Sequence, residues 1–272
     1  MAVTTPAEMT VGVVVPTRNS VRTIEACLDS LRSQTHPCTV VVVDNDSDDA
    51  TVARARPRAD RLEVAGPERS RQRNVGAALL SDRQILGFID SDMVLASGVV
   101  AEVVAQVGQG ADAVVVPEVT VGKGFFADVR AFERSLYVGS SQVEAARFFR
   151  SDVFNSLGGF DESLTGPEDW DLALRAKQQG ANICRTTATI VHDEGTVHYL
   201  ALCRRKAHYA QGLRAFLAKH GSEGRALLLD RPYLRRPAQL LRHPALGAGL
   251  VALKAGESVA VLGALAAHRK AH

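Results

Sequence analysis

The feature that most constrains this chain is a recurring one: a short apolar run rich in β-branched residues, a polar cluster that stops it, then apolar residues at helical spacing. Val11 to Val15 runs into Pro16-Thr17-Arg18-Asn19, Thr39 to Val43 stops at Asp44-Asn45-Asp46-Ser47-Asp48-Asp49, and Ile85 to Ile89 stops at Asp90-Ser91-Asp92. Continuous apolar runs of this length read as strands covered on both faces. Between the first two, Val21, Ile24, Cys27, Leu28 and Leu31 recur at helical spacing within Ser20 to Gln34, with Ser20 as the expected N-cap. A further helix is expected around Arg71 to Leu80. Such βα cycles predict an α/β fold, a mostly parallel sheet flanked by helices. Ligands of such sheets sit outside the carboxyl ends of the strands, which is where the polar clusters lie.

Downstream, Ala113 to Val116 and Ile183 to Val191 are strand candidates, and Phe125 to Val138 and Glu168 to Gln179 have helical periodicity. From Ala201 the composition changes: basic residues such as Arg204, Arg205, Lys206, Arg235, Arg236 and Arg242 accumulate, and the apolar stretch Ala245 to Ala267 follows. Lys254, Glu257 and several glycines interrupt that stretch, so it is expected to be a poor membrane-spanning helix and to lie at an interface or against a partner. The expected organisation is one nucleotide-binding and catalytic domain over residues 10–200 and a helical extension over residues 201–272.

Bulk properties narrow the function classes. The 272 residues carry 32 Lys and Arg against 30 Asp and Glu, a net charge of +2, too balanced for a nucleic-acid binder. Cys27, Cys38, Cys184 and Cys203 form no C-x-x-C pair and read as reduced thiols. The opening residues show no basic stretch followed by a long apolar run, so a cytoplasmic location is expected, with the inner membrane face as a peripheral site.

Two constellations carry chemistry. Asp90-Ser91-Asp92 follows a strand of pure core character, and carboxylates fixed there suit a hard divalent cation bridging diphosphate oxygens. Asp44 is the first residue off its strand, and Arg73 is a charged donor for phosphate or base if it stands beside a nucleotide. The second constellation is Gly158-Gly159-Phe160-Asp161-Glu162, then Glu168-Asp169-Trp170-Asp171-Leu172 with Arg175. Transfer with inversion needs one carboxylate to take the acceptor proton, and Asp169 is the choice, with Glu168 orienting the acceptor. A carboxylate at a helix N-terminus also has a purely structural use.

With these motifs in this order, the chain resembles the family 2 glycosyltransferases of the GT-A, Rossmann-like fold. The matching pieces are V-V-V-P-T-R-N at Val13 to Asn19, V-V-D-N-D-S-D-D-A-T at Val42 to Thr51, Q-R-N-V-G at Gln72 to Gly76, F-I-D-S-D at Phe88 to Asp92, and G-G-F-D-E with E-D-W-D-L within Gly158 to Leu172. They cover roughly Val11 to His198. The resemblance implies that Pro16, Thr17, Asn19, Asp44, Asp46, Arg73 and Ser91 line the donor site. It implies that Asp90 and Asp92 hold the sugar diphosphate through Mn²⁺ or Mg²⁺, with His192, and His198 behind it, as candidates to complete the metal site. It further implies that Asp169 is the base of a single inverting displacement from a UDP- or GDP-sugar. The family commonly has D-D-G-S where this chain has Asp44-Asn45-Asp46-Ser47, which leaves base recognition open.

The acceptor is expected to be a small molecule, a lipid-linked molecule or a glycan, and the basic C-terminal region is expected to contact a membrane surface or pair two copies. Two rival readings share the scaffold: a catalytically inactive sugar-nucleotide or glycan-binding protein, and a nucleotidyltransferase. The first strand lacks the Gly-rich loop of the latter, and neither G-x-G-x-x-G nor G-x-x-x-x-G-K follows it.

Overall fold

The computed structural model describes residues 8–139, 144–229 and 231–270, so most of the opening segment that bears on a leader lies outside the described residues. The chain begins β1 (Val11–Thr17), α1 (Ile24–Arg32), β2 (Cys38–Asp44), α2 (Thr51–Ala55), β3 (Arg61–Val64), α3 (Arg69–Ala78), β4 (Ile85–Phe88), β5 (Met93–Leu95), α4 (Val99–Gly108) and β6 (Ala113–Val115). It continues with β7 (Glu118–Lys123), α5 (Phe125–Tyr137), β8 (Phe148–Arg150), α6 (Ser151–Ser156), α7 (Glu168–Gln178), β9 (Ile183–Arg185) and β10 (Ile190–Thr196). The last elements are helices: α8 (Tyr199–His208), α9 (Ala210–Leu229), α10 (Pro232–Arg235), α11 (Pro237–Arg242) and α12 (Pro244–Lys270).

By their contacts the residues form two compact units. The first holds the chain up to Glu118, Ala145–Glu162 and Glu168–Asp193; the second holds Val119–Glu144, Ser163–Pro167 and Glu194 onward. The division therefore does not follow the single cut near residue 200 expected from composition. Val119–Glu144 groups with the C-terminal helices because Val129 and Leu136 of α5 share a core with Leu202 of α8 and Leu250 and Leu253 of α12.

In the first unit, a seven-stranded sheet runs β3-β2-β1-β4-β8-β6-β9. The pairs β1 with β2, β1 with β4, β2 with β3 and β6 with β9 are parallel, while β8 is antiparallel to both neighbours. The sheet is sandwiched. Val11, Val13 and Val15 of β1 face one core with Ile24, Cys27 and Leu28 of α1 and Val99 and Val103 of α4. Val14 faces the other with Ala77 of α3, Phe154 of α6 and Leu172 and Ala176 of α7. Both faces being covered, alternation of polar and apolar residues is lost, which is why the runs are continuous. The parallel register opposes Thr17 to Asp44, bringing two polar strand ends level.

Several expectations need correction. Helix α1 starts at Ile24, and Ser20 contributes its backbone carbonyl to the amides of Thr23 and Ile24 rather than a side-chain cap. The single strand expected over Ile183 to Val191 is two: β9 closes the large sheet, while β10 pairs antiparallel with β5 in a small sheet ordered β5-β10-β7. Short β3, β5, β7 and β8, and helix α4, were not legible as separate elements. The glycines of the apolar C-terminal stretch do not break it: Pro244–Ala267 is one helix, long and apolar enough by length and composition to cross a membrane. In α12, Gly256 serves close approach, since a Cβ there would meet the Tyr199 hydroxyl at 2.0 Å.

In the first unit, α3 lies so close to β1 that a Cβ at Gly76 would stand 2.3 Å from Cγ1 of Val14. Alanine would gain helix propensity, but the clash is with a fixed core side chain and outweighs it. Gly76→Ala is expected to lower the unfolding free energy by about 1–3 kcal/mol in urea titration; a neutral or stabilised variant would show that α3 can move off the sheet.

Candidate functional site

The site is built where β1, β2 and β4 end and α3 and α7 begin, all within the first unit. Gln72, on the first turn of α3, donates its side-chain amide to the carbonyls of Thr17 at 3.0 Å and Val43 at 2.6 Å, tying the ends of β1 and β2 together. Beyond those ends the two loops interlock. The Asn19 amide donates to Ser47 Oγ, the Asp48 amide donates to Asn19 Oδ1, and Asp44 accepts from both the amide and hydroxyl of Ser47. Asn19 and Asp46 take left-handed backbone angles, φ of 49° and 50°, which Asn and Asp tolerate better than other side chains. Pro16, Thr17 and Asp44 are buried, Asn19 and Asp46 exposed, and the buried Thr17 hydroxyl has no hydrogen-bond partner.

The centre of the site is Arg73. Expected at the nucleotide, it is fully buried instead, and its guanidinium meets three carboxylates: Asp90 at 2.8 Å, Asp169 at 2.9 Å and Glu168 at 3.4 Å. Its face lies 5.0 Å from the ring centroid of Phe160, a cation–π contact. Asn74, next in sequence, clamps the same segment. It accepts from the Phe160 amide and donates to the Phe160 carbonyl and Glu162. The Q-R-N and G-G-F-D-E motifs are thus two halves of one joint.

Asp90 is held from the other side by Arg147 at 3.4 Å, and Arg147 reaches Glu118 at 2.6 Å. Burial alone would raise the Asp90 carboxyl, but the two guanidinium groups outweigh it and keep the group far below the usual carboxylate range. Glu168 goes the other way: burial, then repulsion from Asp169, pushes it up despite Arg73. The other Glu168 oxygen, Oε2, is buried without a hydrogen-bond partner. Asp171 turns away from this centre and pairs with Arg175, four residues on, at 2.6 Å. Ser91 is buried and donates to the hydroxyl of Ser20.

Asp92 and His192 form a second focus. His192 Nε2 lies 3.3 Å from Asp92 Oδ2, and Nδ1 faces Glu118 at 3.5 Å without making a hydrogen bond. The pairing of β10 with β5 sets this contact, since it opposes His192 to Met93. Burial would lower the imidazole, yet the carboxylates of Asp92 and Glu118 lift it to about 9. His198 falls instead in the second unit, exposed at the head of α8.

The donor set fits a divalent cation at one point. Asp92 Oδ1 is buried with no partner and Nε2 of a histidine stands beside the same carboxylate, a pairing of oxygen and imidazole that suits Mn²⁺. Among the described residues no group of three or more His, Cys, Asp or Glu is gathered to hold a metal, so the remaining positions would belong to other ligands. Both oxygens of Asp90 face guanidinium groups, which leaves Asp92 the more available carboxylate of the pair.

Glu118 and Arg147 were missed in the sequence. Arg147 is buried among phenylalanines of β8 in A-A-R-F-F-R, and a charged residue inside such an apolar run was the one available signal.

A mixed sheet flanked by helices with carboxylates at its strand ends defines the GT-A class of α/β protein. The sequence matches the family described as Glycosyl transferase family 2 over residues 12–158, and the chain belongs to that family. It is 26% identical over 251 residues to the pre-mycofactocin glycosyltransferase of Mycobacterium tuberculosis, covering 83% of this chain and 51% of that protein. The chain therefore spans about half the length of that relative. Among solved structures, the mannosyltransferase PcManGT of Pyrobaculum calidifontis, in complex with GDP-Man and Mn²⁺, superposes with a TM-score of 0.59 at 21% identity, over 98% of this chain and 77% of that one. The glucosyl-3-phosphoglycerate synthase of Mycobacterium tuberculosis, in complex with Mn²⁺, UDP and glucosyl-3-phosphoglycerate, superposes with a TM-score of 0.52 at 18% identity, covering 76% of this chain and 80% of that one. At these identities the two structures establish the fold.

The ion pairs give a pH signature. The Asp90 carboxyl is lowered on folding, so its stabilisation is complete above its unfolded value near 4 and is lost as pH falls below that. Asp90→Asn is expected to cost about 3–5 kcal/mol at pH 7, because it strips a carboxylate from two buried guanidinium groups. The cost should shrink between about pH 4 and 2 in urea titrations; a cost unchanged over that range would mean that Asp90 is not the ionised partner.

Proposed function

We propose that this chain transfers a hexose-type sugar from a nucleoside diphosphate sugar, UDP- or GDP-linked, to an acceptor hydroxyl with inversion at the anomeric carbon. The single observation that carries the reading is the buried guanidinium of Arg73, shared between Asp90 behind the metal-binding focus and Asp169 at the head of α7. One arginine fixes the spacing between a donor side and a base.

In this reading Pro16, Thr17, Asn19, Asp44 and Asp46 form the nucleotide wall at the ends of β1 and β2. Asp92 and His192 would hold Mn²⁺ or Mg²⁺, and Asp90 is steadied by Arg73 and Arg147. A divalent cation there would supply charge neutralisation to the departing diphosphate. Asp169, 30% exposed at its side chain while Glu168 is 3% exposed, is the carboxylate that an acceptor can reach. It takes the acceptor proton as the acceptor oxygen bonds to the anomeric carbon and the bond from that carbon to the diphosphate breaks on the opposite face. Glu168 shares the Arg73 guanidinium with Asp169 and so positions the base.

Thermal unfolding with UDP, GDP, dTDP and CDP, each with and without Mn²⁺, tests the donor site, because a ligand of the folded state raises the midpoint. One nucleotide is expected to give a metal-dependent rise that Asp92→Ala abolishes; no rise with any of them would sink the donor assignment. Asp169→Asn should keep the donor-induced rise and lose transfer by about 10²–10⁴-fold, the usual worth of a general base. Donor binding with no transfer to any acceptor would favour a binding protein on this scaffold.

A further inference from the structure

The longest helix is built inside out. Between Pro244 and Ala267, α12 has two charged residues, Lys254 and Glu257, and both turn into the second unit. Lys254 bonds Glu133 of α5 at 2.7 Å and Glu257 at 2.9 Å. Glu133 also accepts from the Tyr137 hydroxyl and lies 3.8 Å from Arg130, which in turn holds Glu194 at 2.6 Å. The outward face is apolar: Ala248, Val251, Ala255, Val259 and Leu262 are exposed and recur at helical spacing, with Val251, Val259 and Leu262 at 64%, 71% and 66% exposure. The exposed hydroxyl of Ser258 donates to the Lys254 carbonyl. A soluble helix would be turned the other way.

Just before α12, the short helices α10 and α11 expose Leu234 and Leu241 at 66% and 81% beside exposed Arg235 and Arg242, and their segment Pro232–Arg242 contains no acid. We infer that α12, with α10 and α11, is an interfacial anchor: the helix lies in the plane of an anionic lipid surface, its apolar stripe in the acyl boundary and the arginines among the headgroups. A stripe free of charge, preceded by exposed leucine and arginine, is the composition that such a surface selects. A second copy fits less well, because a twofold contact presents the same surface from both sides, and neither the stripe nor Pro232–Arg242 offers an acid to the arginines. A crossing helix would pull Lys254 from Glu133 and leave a buried carboxylate without its ammonium. The inference does not rest on the sugar-transfer reading.

Flotation of the full chain with vesicles of phosphatidylcholine alone, or of phosphatidylcholine with phosphatidylglycerol, tests it. Binding is expected to the anionic vesicles, weakened at about 1 M salt, where screening shortens to a few ångströms. The triple variant V251D/V259D/L262D should cut the bound fraction by about tenfold or more. R235E/R242E should remove the preference for anionic vesicles. All five positions are exposed, so both variants should keep the parental unfolding midpoint, which checks that they fold. Three results would overturn the inference: no flotation with either vesicle, resistance to alkaline carbonate wash as for a crossing helix, or a dimer in solution that the triple variant splits while the parent ignores vesicles.

Discussion

Arg73 is the interaction on which the first unit turns. A guanidinium with no exposure to water is costly to bury, and burial alone would lower its affinity for its proton. Three carboxylates reverse that, and each comes from a different position: Asp90 from the end of β4, Glu168 and Asp169 from the first turn of α7. The aromatic ring of Phe160 covers its face. Satisfying one buried cation therefore fixes α3, the β4 end and α7 relative to one another to within hydrogen-bond tolerance.

The same arrangement leaves the site short of positive charge. Five carboxylates, those of Asp90, Asp92, Glu118, Glu168 and Asp169, meet three guanidinium groups, those of Arg69, Arg73 and Arg147, and the imidazole of His192. The imbalance shows in the titration of the cluster: burial and Asp169 push Glu168 up, and the carboxylates of Asp92 and Glu118 push His192 up. A divalent cation would relieve it while releasing the imidazole proton, because a metal ligand must be deprotonated. The residues thus form one chain of alternating charge, from Asp92 and His192 through Glu118, Arg147, Asp90 and Arg73 to Asp169. Geometry preset in this way costs no reorganisation when charge develops on a leaving group.

How far the sequence discloses this depends on which physical effect writes the signal. Burial on both faces of a sheet writes long apolar runs, so β1, β2 and β4 and the polar residues at their ends were legible. A helix against such a sheet writes its own periodicity, so α5 and α7 were found within a residue or so at each end. Elements of three or four residues, such as β3, β5 and β8, are too short to carry a period, and pairing with neighbours defines them. The run Ile183 to Val191 misled because both halves are strand-like, and only the departure of β10 into the small sheet separates them. The residues of the central site were legible as types. Their partners were not: Arg73 binds a helix ninety-five residues away, and nothing local distinguishes an arginine aimed at phosphate from one buried among carboxylates.

The second unit uses a similar device to a different end. Arg130 and Lys254 meet Glu133, Glu194 and Glu257 in a largely buried network, and its acids face structural cations. The network explains how α12 can be so apolar outside and still hold its orientation. An apolar helix rolling on an apolar surface has little to fix its rotation, whereas an ammonium held between two buried carboxylates restricts it. What these ion pairs set is which face of α12 remains outside. The composition that read as an interrupted apolar stretch is thus an uninterrupted stripe with its charges drawn inward.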